Sequence, residues 1–136
     1  ERHTGDRVDD GSLDDSVLPV VEAGQALLVE SAHGIEDGLF LAPAPGHTPG
    51  HITLNLVSRD RKALFTGDIM HHPIQVYYPD WSSGFCTDPV QSRKTRRDVL
   101  EFCADQGALM LPAHFGAPHA GRVRRQGTAF AFDFEA

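Results

Sequence analysis

The stretch Pro45-Gly46-His47-Thr48-Pro49-Gly50-His51 is the most informative part of this chain. It follows the short apolar run Phe40-Leu41-Ala42, which is typical of a β-strand. Glycine permits a tight backbone turn and proline restricts φ, so such a loop can hold an imidazole in one place. Imidazole nitrogen is a common ligand of zinc. The stretch therefore predicts a stiff loop that carries a candidate metal ligand, His47, at the end of a strand.

Two further residues with metal-binding side chains follow short apolar strands. Asp68 comes after Leu64-Phe65, and His114 comes after Leu109-Met110-Leu111. Strand ends are rigid, and the loops that leave them can be aimed at a common point. Taken singly, each residue is more often a structural histidine or a turn aspartate. Together they favour a site in which imidazoles and a carboxylate hold one or two divalent cations.

Three motifs in this chain resemble the metal motifs of the metallo-β-lactamase superfamily. The stretch Pro45–His51 is similar to the third motif, Thr66–His71 to the fourth, and Pro112–Phe115 to the fifth. The order agrees with that family, and so do the spacings of 21 residues from His47 to Asp68 and 46 from Asp68 to His114.

The resemblance covers about residues 17–134. It is strongest to the branch that holds quorum-quenching lactonases and methyl-parathion-type hydrolases. The residues that carry this finer likeness are Asp88-Pro89, Thr95-Arg96-Arg97, His114 and Gly121-Arg122-Val123.

The resemblance implies a role for each motif residue. His47 would bind one metal ion, His114 would bind a second, and Asp68 would bridge them. The cofactor would be two zinc ions or other divalent metals, and a metal-bound hydroxide would hydrolyse an ester, lactone or phosphoester. His71 is a candidate catalytic residue, as a substrate contact or proton donor; alternatively it packs at the base of its loop. His51 would fix the loop rather than bind metal.

The predicted elements give an α+β (layered α/β) fold with a mixed sheet and one long helix, and the resemblance makes it the C-terminal half of an αββα sandwich. Residues 1–16 would be a polar lead-in, and residues 17–136 the half-unit. Asp88 is a candidate N-cap for a helix that runs from Pro89 to about Gln106. Residues 70–87 would form a long loop. The other predicted elements are a helix over 17–23 and strands over 26–30, 39–42, 52–57, 63–66, 108–112, 121–126 and 128–134.

The family's upstream His-x-His-x-Asp-His motif does not occur in this sequence. A catalytic zinc ion typically has three protein ligands, and the residues above give each ion one histidine and a shared aspartate. We therefore expect the chain alone to bind metal weakly or not at all, and to be inactive. It would also expose an apolar sheet face. A fragment of a longer enzyme, a truncated product, or a half that pairs with another copy or another chain would each fit.

Two alternatives to the binuclear hydrolase stay open at this point. One is a truncated, non-catalytic module that dimerises or binds a partner through its exposed sheet face. The other is a mononuclear site made of His47, Asp68 and His114, because two histidines and a carboxylate are a known zinc or iron set.

Composition and charge narrow the possible partners, the location of the protein and the role of its cysteines. The net charge is −7, which argues against nucleic acid as the main partner and leaves a small molecule as the expected substrate. No apolar run approaches the ~20 residues of a membrane span, and no signal peptide is visible, so we expect a cytoplasmic protein. Cys86 and Cys103 have neither zinc-knuckle nor disulfide-framework spacing and are expected to be partly buried thiols.

Overall fold

The computed structural model describes residues 11–135 as helices and strands arranged around a single sheet. A π-helical stretch, Leu13–Val17, leads into the first α-helix. In chain order the elements are α1 (Leu18–Glu22), β1 (His33–Glu36), β2 (Leu39–Pro43), β3 (Ile52–Ser58), β4 (Arg61–Gly67), α2 (Ile74–Tyr77), α3 (Pro89–Gln106), β5 (Leu109–Pro112), β6 (Ala120–Gln126) and β7 (Ala129–Glu135).

The seven strands lie in the sheet in the order of the chain. All neighbours are antiparallel except β4 and β5, which run parallel and are connected through α3. A parallel pair requires a crossover of this kind, because a short hairpin cannot return the chain to the same end. The prediction of an α+β fold with a mixed sheet and one long helix is confirmed.

Local capping signals determine the ends of α3. The Asp88 carboxylate accepts hydrogen bonds from the N–H groups of Val90 and Gln91 at 3.0 and 2.9 Å, and Pro89 occupies the first turn. Gly107 ends the helix with φ of 60°. The helix therefore has the predicted bounds.

The buried face of α3 differs from the prediction. Residue spacing in the sequence predicts a buried face through Val99, Phe102, Cys103 and Gln106, extended backwards by Thr95, but Phe102 and Gln106 are exposed. Of the predicted set, Thr95 and Cys103 are buried, and they are joined by three others: Ser92, Arg96 and Leu100. The buried face of α3 includes polar residues because Arg96 and Ser92 find hydrogen-bond partners beneath the helix.

The hydrophobic core lies between α3 and one face of the sheet. Cross-strand partners share a face, and Leu64, Met110 and Gly121 are partners across β4, β5 and β6. Phe130, Phe132 and Phe134 alternate along β7, which predicts that they share one face, and the rings of Phe132 and Phe134 lie with centroids 4.8 Å apart. The other buried apolar members of the core include Ala44, Ile69, Met70, Val76, Leu100, Cys103, Ala108, Phe115, Val123 and Phe130.

The opposite face of the sheet is also apolar, and we call it the open face. Leu41, Leu54, Phe65 and Leu111 are successive partners across β2 to β5 and form one row on it, with Leu56 beside them. Leu56 is 39% exposed and Phe65 is 40% exposed, and no helix among residues 11–135 covers them. The expectation of an exposed apolar sheet face agrees with this arrangement.

Three predicted elements before α3 need correction. The strand over 26–30 is wrong: Leu27 and Leu28 are 80% and 89% exposed and pair with no strand, whereas β1 forms at His33–Glu36. The apolar residues over 26–30 have the composition of a strand. The first strand forms at His33–Glu36 instead, because that segment pairs with β2 across a turn at Gly38.

Residues 11–16 are not a loop, because backbone hydrogen bonds begin at Gly11 and the π-helical stretch runs into α1 without a side-chain cap. The rest of the predicted lead-in, residues 1–10, lies outside the described residues. The predicted loop over 70–87 contains the short helix α2.

Cys86 and Cys103 form no disulfide, and both are buried, whereas partly buried thiols were expected. Within residues 11–135, every helix falls short of the length and apolarity that crossing a membrane requires.

Candidate metal centre

Three strand ends converge at one edge of the sheet. Because β4 and β5 are parallel neighbours, Gly67 pairs with Pro112, and the residues that follow leave from the same edge. Asp68 and His114 meet there, with His114 Nε2 donating to Asp68 Oδ1 at 2.6 Å. His47 reaches the same carboxylate from the loop after β2.

The two oxygens of Asp68 face different histidines. His114 contacts Oδ1, whereas Nε2 of His47 lies 3.5 Å from Oδ2. The His47 side chain is largely buried, whereas the other two side chains are more exposed. A carboxylate directed at two ligands on opposite sides is arranged as a bridging group would be.

His71 lies at the centre of this cluster. Its ring centroid is 4.9 Å from that of His47 and 5.2 Å from that of His114, on which it stacks. Ligand atoms of Asp68, His71 and His114 all lie within 4.8 Å of one another. This group differs from the mononuclear set expected from the sequence, because His71 takes the place of His47.

The loop that carries His47 is attached to the start of α3. The N–H of Thr87 donates to the carbonyl of His47 at 2.9 Å, and the hydroxyl of Thr95 donates to the carbonyl of Pro45 at 2.6 Å. Gly46 has φ of 133°, and a Cβ there would lie 2.4 Å from the backbone nitrogen of Ser92. The predicted need for glycine in this loop therefore has a specific cause, the close approach of the helix backbone.

His51 supports the carboxylate from behind. Its Nε2 accepts a hydrogen bond from the backbone N–H of Asp68 at 3.0 Å. Burial lowers the pKa of His51, with a smaller lowering from His47, which keeps Nε2 available as an acceptor. Gly67 makes the contact possible, because a Cβ on Gly67 would lie 2.9 Å from this nitrogen. The geometry agrees with the expectation that His51 fixes the loop.

The segment after Asp68 holds His71 by its backbone and its ring. Gln75 Oε1 accepts from the N–H of His71 at 2.7 Å, and Ser83 Oγ lies 3.2 Å from His71 Nδ1. Nε2 is therefore the nitrogen left for a ligand or a substrate. Burial, followed by the charge of His47, lowers the pKa of His71. The ring is not simply packed at the base of its loop.

Sequence reasoning missed Gln75 and Ser83, which contact His71, and it missed the burial of Arg96. The only signal for Arg96 was its place four residues from Ser92 and four from Leu100, on one helix face, and nothing in the sequence showed that this face is buried. Gln75 and Ser83 lie in a stretch without a period and gave no such signal.

The sequence makes the aromatic residues of 77–81, with Phe85, a candidate wall of the substrate pocket or a loop packed against the helix, and such a wall is only partly assembled. Phe85 lies with its ring centroid 6.0 Å from that of His71 and is largely exposed. Tyr78 and Trp81 stack on each other instead, with centroids 4.8 Å apart.

The donor set fits a divalent transition metal. Imidazole nitrogens with one carboxylate are the set that zinc and related ions take in catalytic sites. His47, Asp68 and His114 would hold such ions, with His71 beside them.

Solved structures with similar folds include several metal-dependent hydrolases. The dizinc quorum-quenching lactonase AidC, solved with the product N-hexanoyl-L-homoserine, matches with 20% identity and a TM-score of 0.76, over 92% of this chain and 47% of its own. The hydrolase AbOPH of the beta-lactamase superfamily matches with 21% identity and a TM-score of 0.84, over 93% and 45%. A probable metal-dependent hydrolase from Staphylococcus aureus matches with 20% identity and a TM-score of 0.70, over 84% and 42%.

This chain therefore spans about half the length of these three structures. No curated protein matches it. The model of the metallo-beta-lactamase superfamily matches residues 2–114, which is most of the chain. The three sequence motifs, the mixed sheet and the histidines gathered around Asp68 agree with that match, and the chain belongs to the metallo-beta-lactamase superfamily.

Proposed function

We propose that this chain forms one side of the catalytic site of a metal-dependent hydrolase that acts on an ester, lactone or phosphoester of a small molecule. The observation that carries the proposal is the carboxylate of Asp68, whose two oxygens face His114 and His47 separately. One histidine on each side of a shared carboxylate fits a pair of cations held side by side.

In this proposal His47 holds one divalent ion, His114 holds the other, and Asp68 lies between them. Zinc is the preferred candidate because its ligands are imidazole and carboxylate groups. When bound, the ions supply a strong nucleophile from water near neutral pH and polarise the oxygen of the scissile group. The ligands that this chain does not contribute would come from a second half-unit of the whole protein.

His71 acts on the substrate side of the site. When the Ser83 hydroxyl donates to Nδ1, the neutral ring carries its hydrogen on Nε2. From a position between the rings of His47 and His114, that N–H can donate to a substrate oxygen. His71 thus orients and polarises the scissile group through this hydrogen bond, without taking a ligand position.

The test uses the natural gene product, with whatever sequence adjoins this chain in it. Metal content is measured by elemental analysis, and turnover is measured with an N-acyl homoserine lactone, a nitrophenyl ester and an aryl phosphotriester. We expect bound zinc and hydrolysis of at least one probe, with both lost in Asp68→Asn and His114→Ala.

A matched control is His33→Ala on β1, a histidine that lies outside the cluster and should leave metal and activity unchanged. A gene product that binds no divalent metal, or that keeps its turnover in Asp68→Asn, would contradict the proposal.

A second candidate function is that of a non-catalytic module that pairs with another copy through the open face. The observation in its favour is the apolar row across β2 to β5, with Leu56 and Phe65 exposed. Light scattering on the purified chain would then give twice the monomer mass, and Leu56→Lys would return it to a monomer. A monomer in the unaltered chain would exclude this pairing.

A further inference from the structure

Arg96 is a fully buried cation in the middle of α3. Its guanidinium group donates to three backbone carbonyls and one hydroxyl, and no carboxylate is among these acceptors. Burying a charge without an opposite charge is costly, so every donor must find a good acceptor. The positions of those acceptors indicate what the residue does.

The carbonyls lie at both ends of a single stretch, which we call the 69–81 segment. Nε donates to the carbonyl of Ile69 at 3.0 Å, and one terminal nitrogen donates to the carbonyls of Pro79 and Trp81 at 2.6 and 2.9 Å. Ile69 directly follows Asp68, and His71 is two residues further on. One side chain of α3 therefore ties together the start and the end of the stretch that carries His71.

The tie continues to the backbone of His71 through Gln75. Gln75 Nε2 donates at 2.7 Å to the carbonyl of Trp81, the same atom that Arg96 contacts. The Oε1 of Gln75 accepts from the N–H of His71 at 2.7 Å. Arg96 is therefore connected to the backbone N–H of His71 through the Trp81 carbonyl and the side chain of Gln75.

A second line of contacts reaches the ring of His71. Arg96 donates to Ser92 Oγ at 3.2 Å, and Ser92 Oγ lies 3.3 Å from Cys86 Sγ. Cys86 Sγ lies 3.8 Å from Ser83 Oγ, and the Ser83 hydroxyl lies 3.2 Å from His71 Nδ1. The backbone and the ring of one histidine are therefore both linked to one guanidinium.

We propose that Arg96 is a positioning residue of the site: by tying both ends of the 69–81 segment to α3, it holds the His71 ring against Asp68 and His114. This inference rests on the proposed function for its catalytic consequence, because His71 must act in the reaction. The structural tie itself can be measured whether or not hydrolysis is found.

A planar guanidinium suits this task better than an ammonium group. It presents five N–H donors in a rigid fork, so one side chain can serve carbonyls that lie in different directions. A lysine at the same place would keep the charge but would serve fewer of the acceptors. Arg96→Lys is therefore the informative variant, because it separates the geometry of the tie from the charge.

The experiment is a double-mutant cycle in the natural gene product, with kcat, KM, metal content and amide hydrogen exchange as readouts. We expect Arg96→Lys to lower kcat at least about tenfold with metal content unchanged, because small displacements of a catalytic group are costly. In a His71→Ala background, Arg96→Lys should change kcat by less than about twofold, because the residue acts through His71. Exchange at the His71 amide should become faster in Arg96→Lys.

Arg125→Lys is the matched control, since Arg125 is an exposed arginine of β6 that also pairs with α3, through Asp105, which lies outside the 69–81 segment. It should leave kcat and the exchange of the His71 amide unchanged. If Arg96→Lys does not fold, Gln75→Met breaks the link between the Trp81 carbonyl and His71 and is held to the same expectations.

Two results would overturn the inference. One is an unchanged exchange rate at the His71 amide in the variant, which would show that there is no tie. The other is an equal loss of kcat with and without His71, which would mean that Arg96 acts only through folding. If the unaltered protein hydrolyses none of the probes, the proposed function fails, and the exchange data still decide the tie.

Discussion

His51 Nε2 accepts a hydrogen bond from the backbone N–H of Asp68, so the second histidine of the loop after β2 fixes the first residue after β4. Replacing His51 with alanine leaves that N–H without its acceptor at the base of the site. We expect a loss of about 1–3 kcal/mol in the free energy of unfolding, and roughly 10–100-fold weaker metal binding.

Denaturant titration and calorimetric zinc titration of the His51→Ala protein measure these two effects. His51→Gln is the rescue variant, because its amide oxygen can reach the place of Nε2 and accept the same hydrogen bond. Zinc affinity in His51→Ala equal to that of the unaltered protein would show that Asp68 needs no such support.

Gly46 lies against the first turn of α3, with φ of 133° and no room for a Cβ beside the Ser92 backbone. Gly46→Ala should therefore displace the His47 loop from the helix at a cost of about 1–3 kcal/mol for the strained backbone alone. The control is Gly50→Ala in the same loop, where a Cβ would meet nothing within 4 Å. Thermal unfolding of both variants gives the comparison, and equal melting temperatures would contradict the prediction.

The elements that the sequence predicted well are those with local causes. The bounds of α3 follow from Asp88, Pro89 and Gly107, whose effects reach only a few residues. The proximity of Asp68 and His114 could be predicted because each one follows an apolar strand, and the parallel pairing of β4 and β5 brings those strand ends together. The assignment of His47, Asp68 and His114 as metal ligands stays a prediction.

The failures have non-local causes. Leu27 and Leu28 have the composition of a strand, but a strand also needs a partner, and the described residues offer none. Arg96 lies on the buried face of α3 because three carbonyls from a distant stretch meet it there. A rule that places charged residues at the surface does not predict the burial of Arg96, because the hydrogen bonds that compensate for burying its charge form only in the folded protein.

His71 and His114 should differ in what their removal does. In the proposed site His114→Ala removes a ligand and is expected to reduce metal content, whereas His71→Ala should keep the metal and lower kcat by about 10²–10³-fold. His71 stacks on His114, and ligand atoms of both histidines lie within 4.8 Å of Asp68, so separate measurements of metal and turnover are needed to distinguish their roles. Loss of metal in His71→Ala to the same extent as in His114→Ala would make His71 a ligand instead.

Cys103 gives a pH dependence that is independent of the metal site. Burial raises the pKa of its thiol from 9.0 to about 12. The folded protein therefore keeps a neutral thiol where the unfolded chain ionises, so this contribution to stability is complete below pH 9.0 and is lost as the pH rises toward about 12. The loss should be up to about 1.4 kcal/mol per pH unit within that window.

Urea unfolding at about pH 8 and about pH 10.5 measures the effect, and Cys103→Ala should remove it. The same burial should protect native Cys103 from iodoacetamide at about pH 8, because the thiolate is the nucleophile. Mass mapping would then find Cys103 modified only after unfolding. Rapid alkylation of Cys103 in the native protein would mean that the core around α3 opens readily.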